Sequence, residues 1–356
     1  MKIIHYSSQK IEFHILQSFP VSCLNRDDVG TPKSCEIGGV PRARVSSQCW
    51  KRAVRLALHD LGVRTGIRTK RLDNLLERAC LSLCSSQEEE KAARDAAVTI
   101  AGLLSDDTLL FVSEHEVGKL AAAAKAVGFK VDGKAFEKDL KKLAKNVFDK
   151  SLDALDIALF GRMVAKAPVM NIEAAASFSH AISTHKTVSD LDYFTAVDDF
   201  NEGETGSAHI GASEYNAATY YRYICLDLGQ LASSLGNGDG TVDAGLMKKA
   251  VEAFTKALFI AVPSARQHVE AAYRPWDYAR VYVRKGQPLQ ASFENPVKAG
   301  RGGGFLEPSK AALKSYLDSA EKSFGSMFEK QGCFEWDPAA GYSIDSLISD
   351  VCGMIE

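Results

Sequence analysis

The sequence predicts an α+β fold in which a β–α–β alternation of the ferredoxin-like kind is interrupted by a long helical block. Three observations lead there. A strand-like alternation opens the chain at Ile11-Glu12-Phe13-His14-Ile15-Leu16. Residues 72–150 are rich in Ala, Leu, Lys and Glu with almost no strand signal. From Ser151 onward, strand and helix patterns alternate again. At 356 residues the chain exceeds a usual single domain of ~100–200 residues, so a core carrying a large insertion is expected.

In the first element Ile11, Phe13 and Ile15 share one side of a pleated strand, and Glu12, His14 and Leu16 the other. A polar loop follows from Ser22 to Gly39, with Pro32 and the pair Gly38-Gly39. A loop of ~20 residues inside a compact domain is uncommon unless it binds something. Ser46 or Ser47 can then cap an amphipathic helix, with Trp50, Val54, Ala57 and Leu61 as its apolar stripe and Gln48, Lys51 and Arg55 on a polar one.

The block that follows contains helical patterns over Glu88 to Leu104 and Lys134 to Phe148. In the second, Lys134, Lys138, Lys141, Lys142 and Lys145 oppose Phe136, Leu140, Leu143 and Val147. Such a stripe is either solvated surface or a duplex-DNA contact through Lys138, Lys141 and Lys142. Beyond it, Asp156 to Met163 reads as a strand ending at a turn, and Ala174 to His185 as a helix-like segment. Ser189 to Ala208 carries six acids and no Lys or Arg, Tyr220 to Leu228 is an aromatic strand, and Val242 to Ala261 and Ser309 to Gln331 are helices.

Composition narrows the function. Hydrophobic residues make up 46% and charged residues 25%, the balance of an ordinary globular protein. Met1 to Lys10 lacks an apolar run of signal-peptide length, and no later segment approaches a membrane span, so a cytoplasmic location away from any membrane is expected. The eight cysteines lack paired CxxC spacing and read as reduced, mostly buried thiols; neither a metal nor a cofactor is expected. The net charge of −2 hides an asymmetry: nine Lys/Arg and one acid lie between Val40 and Arg71, a local excess of +8. One face that meets phosphate would need such a concentration, although a solvated face would carry it too.

No GxxxxGK[ST], HExxH, GxSxG or GxGxxG pattern stands in a suitable context, so the usual signatures of nucleotide hydrolysis, zinc proteolysis and serine hydrolysis are missing. His180 and His185 are off-phase for one helical face. Asp27 and Asp28 could hold Mg²⁺ for work on RNA, or pair with Arg26 and cap the loop. The run Lys298-Ala299-Gly300-Arg301-Gly302-Gly303-Gly304 is either a flexible connection or a backbone that approaches phosphate, with Lys298 and Arg301 beside it.

Several long motifs fall together. Ser22-Cys23-Leu24-Asn25-Arg26-Asp27-Asp28, Gly38-Gly39, Arg44-Val45-Ser46-Ser47-Gln48 and Lys51-Arg52 resemble the amino-terminal signature of the CasC family, the backbone subunit of the type I-E CRISPR Cascade. Asp156-Ile157-Ala158-Leu159, Gly161-Arg162-Met163, His180 to His185, Asp192 to Asp199 and Gly206-Ser207-Ala208-His209 continue the resemblance in order. It implies an RRM-like palm in three pieces (1–58, 151–186, 222–356), helical fingers inserted at 59–150 and an extended thumb hairpin at 187–221. It further implies a non-catalytic protein that polymerises along crRNA, alongside other Cascade subunits. Each thumb would displace a guide nucleotide at regular intervals and leave the rest to pair with target DNA.

A holder of any guide must grip phosphate and sugar rather than base edges. The resemblance and the residue chemistry together make Arg26, Lys33, Arg44, Lys51 and Arg55 the phosphate candidates, with Asn25, Ser46 and Gln48 as neutral hydrogen-bonding groups. Met163 matches the Gly-Arg-Met motif, where an apolar side chain can wedge beside displaced bases; core packing is the other reading. Tyr193, Phe194 and Val197 fall in the thumb motif and could shield the kinked nucleotide. The competing function is a metal-dependent endoribonuclease using Asp27 and Asp28, as in related backbone subunits that cut RNA from the same loop.

Overall fold

The computed structural model describes residues 6–105, 108–131, 136, 138, 154–196, 209–236 and 242–355. Its centre is the strand β1 (Lys10–Ser22), buried almost throughout because it is paired on both edges and covered on both faces. An irregular loop leads to β2 (Ser34–Ile37) and β3 (Val40–Val45), then to the helix α1 (Ser47–Asp60). Next come β4 (Ile67–Thr69), α2 (Leu72–Leu81), α3 (Gln87–Leu104), β5 (Leu110–Val112) and α4 (Glu114–Ala126). The chain returns through α5 (Leu155–Phe160), β6 (Ala176–Phe178) and β7 (Ala181–Ser183) to a hairpin of β8 (Asp190–Ala196) and β9 (His209–Asp227). It ends with α6 (Leu228–Leu235), α7 (Ala244–Ile260), α8 (Gln267–Glu270), β10 (Tyr278–Arg284), α9 (Leu306–Phe324), β11 (Lys330–Trp336) and α10 (Ile344–Gly353).

The fold is α+β around one large antiparallel sheet in the order β11-β10-β1-β9-β7-β3-β2, with β6 and β8 also paired to β9. The predicted two-faced pattern of β1 holds. Ile11, Phe13 and Ile15 enter a core with Val54 and Leu58 of α1, Leu155 and Leu159 of α5, Phe254 of α7 and Val351 of α10. Leu16 lies on the other side with Tyr221, Tyr223, Tyr278 and Tyr282, under Leu313 and Leu317 of α9.

Two polar residues of β1 on that second side, Glu12 and His14, bond to its neighbours. Glu12 accepts from Arg284 Nε (2.6 Å), Tyr223 Oη (2.7 Å) and the Leu289 backbone (2.8 Å). His14 Nδ1 lies 2.9 Å from Tyr221 Oη. Burial, with Arg284 and Arg280 nearby, pushes the His14 imidazole down to about 3. An unfolded chain therefore binds the extra proton between that value and the ordinary 6.5, and the folded one does not. Stability is expected to be complete on this account above pH 6.5 and to fall by at most about 1.4 kcal/mol for each unit below it. Urea midpoints measured across that window check this; His14→Gln is expected to flatten the slope.

Among the described residues of 59–150, α2, α3 and α4 pack through Leu76, Ile100 and Leu120, but the two-stranded β4–β5 sheet corrects the expectation of an all-helical block. Two further expectations are corrected. Leu155–Phe160 is a helix rather than a strand, and Ala174 to His185 forms β6 and β7 rather than a helix. The thiols are also less hidden than expected: Cys23, Cys80 and Cys225 are buried, while Cys333 is exposed and the others lie between. Among the described residues no helix is long and apolar enough to cross a membrane.

Candidate nucleic-acid interface

The start of α1 gathers six of the predicted residues: Asn25, Lys33, Arg44, Ser46, Gln48 and Lys51. Ser46 is the N-cap: its Oγ accepts from the Cys49 backbone at 3.3 Å, an arrangement worth ~1 kcal/mol. The Asn25 carboxamide accepts the Ser46 N–H at 2.9 Å, and the Asn25 carbonyl accepts the Lys33 N–H at 2.9 Å, so the polar loop is tied to the helix it precedes. Asn25 and Ser46 thus build the site by spending their own acceptors within it. No acid stands in the first turn of α1, so no carboxylate of that turn offsets the positive end of its dipole.

Charge is arranged around that end. Arg44 Nε reaches the Ser34 carbonyl at 3.4 Å, and its Nη1 lies 3.5 Å from His180 Nδ1. His180 Nδ1 also accepts the Ser47 N–H at 3.2 Å. Partial burial, with Arg44 and Lys33 close by, lowers the His180 pKa and so favours the neutral ring. Exposed Gln48 accepts from Ser47 Oγ at 3.4 Å. One turn on, Lys51 Nζ sits 5.8 Å from the Phe178 ring centroid, and burial lowers its pKa. The turn from β6 to β7 therefore touches both Arg44 and Lys51, through His180 and Phe178.

His180 is the site residue that residue chemistry alone overlooks. Off-phase spacing from His185 dismisses it as a metal ligand, and only its place in the motif His180 to His185 points toward the site.

Arg26 is exposed on the loop, which Asp27 holds closed by accepting from Val29 N (3.0 Å), Thr31 N (2.9 Å) and Thr31 Oγ1 (2.7 Å). The Thr31 hydroxyl and these backbone donors keep the Asp27 carboxyl below the usual range. Asp28 is exposed.

Two basic residues of the positive stretch turn inward. Arg42 is buried and donates to the carbonyls of Ser183, Phe293 and Glu294. Arg55, predicted to meet phosphate, donates from Nε to Asp156 at 2.7 Å and also to the Gly66 carbonyl. Asp156 is buried, which raises its pKa, and Arg55 is its counter-ion. The guanidinium is committed to joining α1 to α5.

The other candidates lie on separate elements. The β8–β9 ribbon extends beyond the part of β9 that pairs with β1, with Tyr193 opposite Ala212 and Phe194 opposite Gly211. Tyr193 is 70% and Phe194 48% exposed, so neither is a core aromatic. Val197 lies outside the described residues, as do Lys141 and Lys142. Lys138 is exposed. Met163 is 80% exposed, which excludes core packing.

Lys298 and Arg301 are exposed on the connection from β10 to α9, which is fastened to the sheet edge. Val297 N donates to Thr184 O at 2.9 Å, and a Cβ on Gly38, where φ is +63°, would run into the Glu294 carbonyl oxygen. The structure shows no direct contact from Lys298 or Arg301 to the α1 cluster.

A family model described as CT1975-like protein matches residues 11–346. A chain of a solved structure described as "CRISPR RNA-guided surveillance complex, pre-nicking" superposes with a TM-score of 0.77 at 26% identity, covering 98% of this chain and 100% of the other. A chain of a "CRISPR RNA-guided surveillance complex" shares the fold at a TM-score of 0.59 and 24% identity, covering 96% and 99%. No curated protein matches the sequence. Motifs and family match agree: the chain belongs to the CT1975-like protein family of Cascade backbone-type proteins.

Proposed function

We propose that this protein is a non-catalytic backbone subunit of a CRISPR surveillance complex. On an RRM-like palm it binds the phosphates of crRNA regardless of sequence, and it polymerises along the guide beside other Cascade subunits. The guide is thereby left to pair with target DNA. The observation that carries this reading is the cluster of Lys33, Arg44, Gln48, Lys51 and His180 around the acid-free start of α1. It offers cations and donors fit for phosphate, and such contacts hold a strand without reading it. The exposed aromatic pair on the β8–β9 ribbon and exposed Met163 add apolar surfaces suited to unstacked bases. The similarity to a chain of an RNA-guided surveillance complex over nearly the whole length supports the assignment.

The test is binding of the purified protein to guide-length RNAs of unrelated sequences over a salt series. Cooperative binding of equal strength, with a steep fall in affinity as salt rises, is expected. Absence of RNA binding, or strong preference for one sequence, overturns the reading. The nuclease alternative rests on exposed Asp28, since the oxygens of Asp27 close the loop. It requires metal-dependent RNA cleavage by the assembled protein that Asp28→Ala abolishes; intact RNA after incubation with Mg²⁺ is the expected result.

A further inference from the structure

Met163 stands in solvent between two anchored neighbours. Arg162 and Val164 are buried, and the segment continues with buried Ala167 and Met170, which pack in the core of the helical insertion. Apart from one turn of 3₁₀ helix at Pro168–Met170 this segment is irregular, so side-chain and isolated backbone hydrogen bonds must hold it.

On one side Gly161 turns the chain with φ +74°, where a Cβ would lie 2.9 Å from the Ile172 carbonyl oxygen. Arg162 and Ile172 exchange both backbone hydrogen bonds at 2.9 Å. The Arg162 guanidinium donates to Met170 O from Nε (3.0 Å) and Nη2 (2.8 Å), and from Nη1 to Phe111 O (3.0 Å) and Glu116 Oε2 (2.7 Å). That same Glu116 oxygen accepts Ser113 N at 2.9 Å and closes the capping box of α4. On the other side the Asn171 carboxamide accepts Val164 N at 2.6 Å. Both peptide neighbours of Met163 are thus fixed to β5 and α4 of the insertion or to the strand-like return at Ile172.

We propose that Arg162, Glu116 and Asn171 are positioning residues that hold Met163 as a rigid wedge against a displaced base of the bound RNA. Through them the helical insertion sets where the wedge enters the strand. This rests on the RNA-holding reading above. An apolar side chain that must separate stacked bases gains from being held in place, because ordering it on binding costs free energy.

The experiment assembles the full-length protein on guide-length RNAs carrying 2-aminopurine at successive positions, whose fluorescence rises where a base is unstacked. Wild type is expected to give bright positions at regular intervals, and Met163→Ala to dim them. Glu116→Gln and Arg162→Lys are expected to dim them as much as Met163→Ala does. RNA affinity is expected to stay within about two-fold, because no phosphate contact is removed. Met163→Ala placed on Glu116→Gln is expected to add nothing, the non-additivity of residues acting through one side chain. Where the buried pair cannot be altered without unfolding, Asn171→Ala releases Val164 from the exposed side and is expected to give a partial loss.

Undiminished bright positions in the folded variants, or losses that add to that of Met163→Ala, overturn the proposal. RNA binding by wild type without any fluorescence that depends on Met163 overturns it while leaving the RNA-holding reading intact. No RNA binding at all removes both.

Discussion

Glu12→Ala is expected to lose ~3–5 kcal/mol, the cost of breaking a buried ion pair by removing one partner. Both side chains of the Glu12–Arg284 pair are almost completely buried. Arg284 also donates to the carbonyls of Phe328 (3.0 Å), Lys285 (3.2 Å) and Gln287, and its guanidinium lies 4.5 Å from the centre of the Phe328 ring. These neutral partners do not replace the carboxylate. Against a total of ~5–15 kcal/mol the loss is large enough to leave much of the protein unfolded at physiological temperature. The Tyr223 hydroxyl and the Leu289 N–H would lose their acceptor in the same step. Denaturant midpoints measure the effect, and a shift below ~1 kcal/mol would mean that water reaches and solvates Arg284. Glu12→Gln keeps an acceptor and is expected to be milder.

That pair explains what the sequence can and cannot disclose. Alternation along Ile11 to Leu16 is a local pattern of period two, and the sheet honours it by burying one side against five helices and the other under α9. The cap at Ser46 is equally local. Leu155–Phe160 misleads because it is buried on nearly every side, which erases the helical period and leaves a short apolar run that resembles a strand. Ala174 to His185 misleads the other way, since its small residues suit a helix while pairing of Ala176–Phe178 and Ala181–Ser183 with β9 decides the outcome. Sequence reasoning assigns no element to Tyr278–Arg284, although this strand is fully buried beside β1.

The site was legible where its residues are neighbours in sequence. Asn25, Lys33, Arg44, Ser46 and Gln48 come together because the loop after β1 and the β2–β3 hairpin lead directly into α1. Contacts between distant segments were not legible. His180 reaches Ser47 across 133 positions, and Asp156 takes Arg55 across 101. Charge density alone shows that a stretch is basic. It does not separate Arg42 and Arg55, whose charges fold inward, from Arg44, which keeps its guanidinium at the surface.

The separation matters for the last expected result. Lys33→Ala, Arg44→Ala and Lys51→Ala combined are expected to weaken RNA binding by about 100-fold at moderate salt, from roughly 1 kcal/mol for each charge-assisted contact at a partly solvated surface. If each of the three neutralises one phosphate, the slope of log affinity against log salt drops by ~2, at about 0.7 per phosphate on a single strand. The loss is expected to be equal for unrelated sequences, because phosphate contacts carry no base information. Arg55→Ala is the contrasting variant. It leaves the Asp156 carboxylate buried without its counter-ion, so it is expected to lower the denaturation midpoint and leave the salt slope of the remaining folded protein unchanged. Fluorescence anisotropy over a salt series, together with urea titrations of each variant, distinguishes the two behaviours. A slope unchanged by the triple substitution would move the guide off the start of α1. A slope reduced by Arg55→Ala would mean that its guanidinium leaves Asp156 for phosphate when RNA binds.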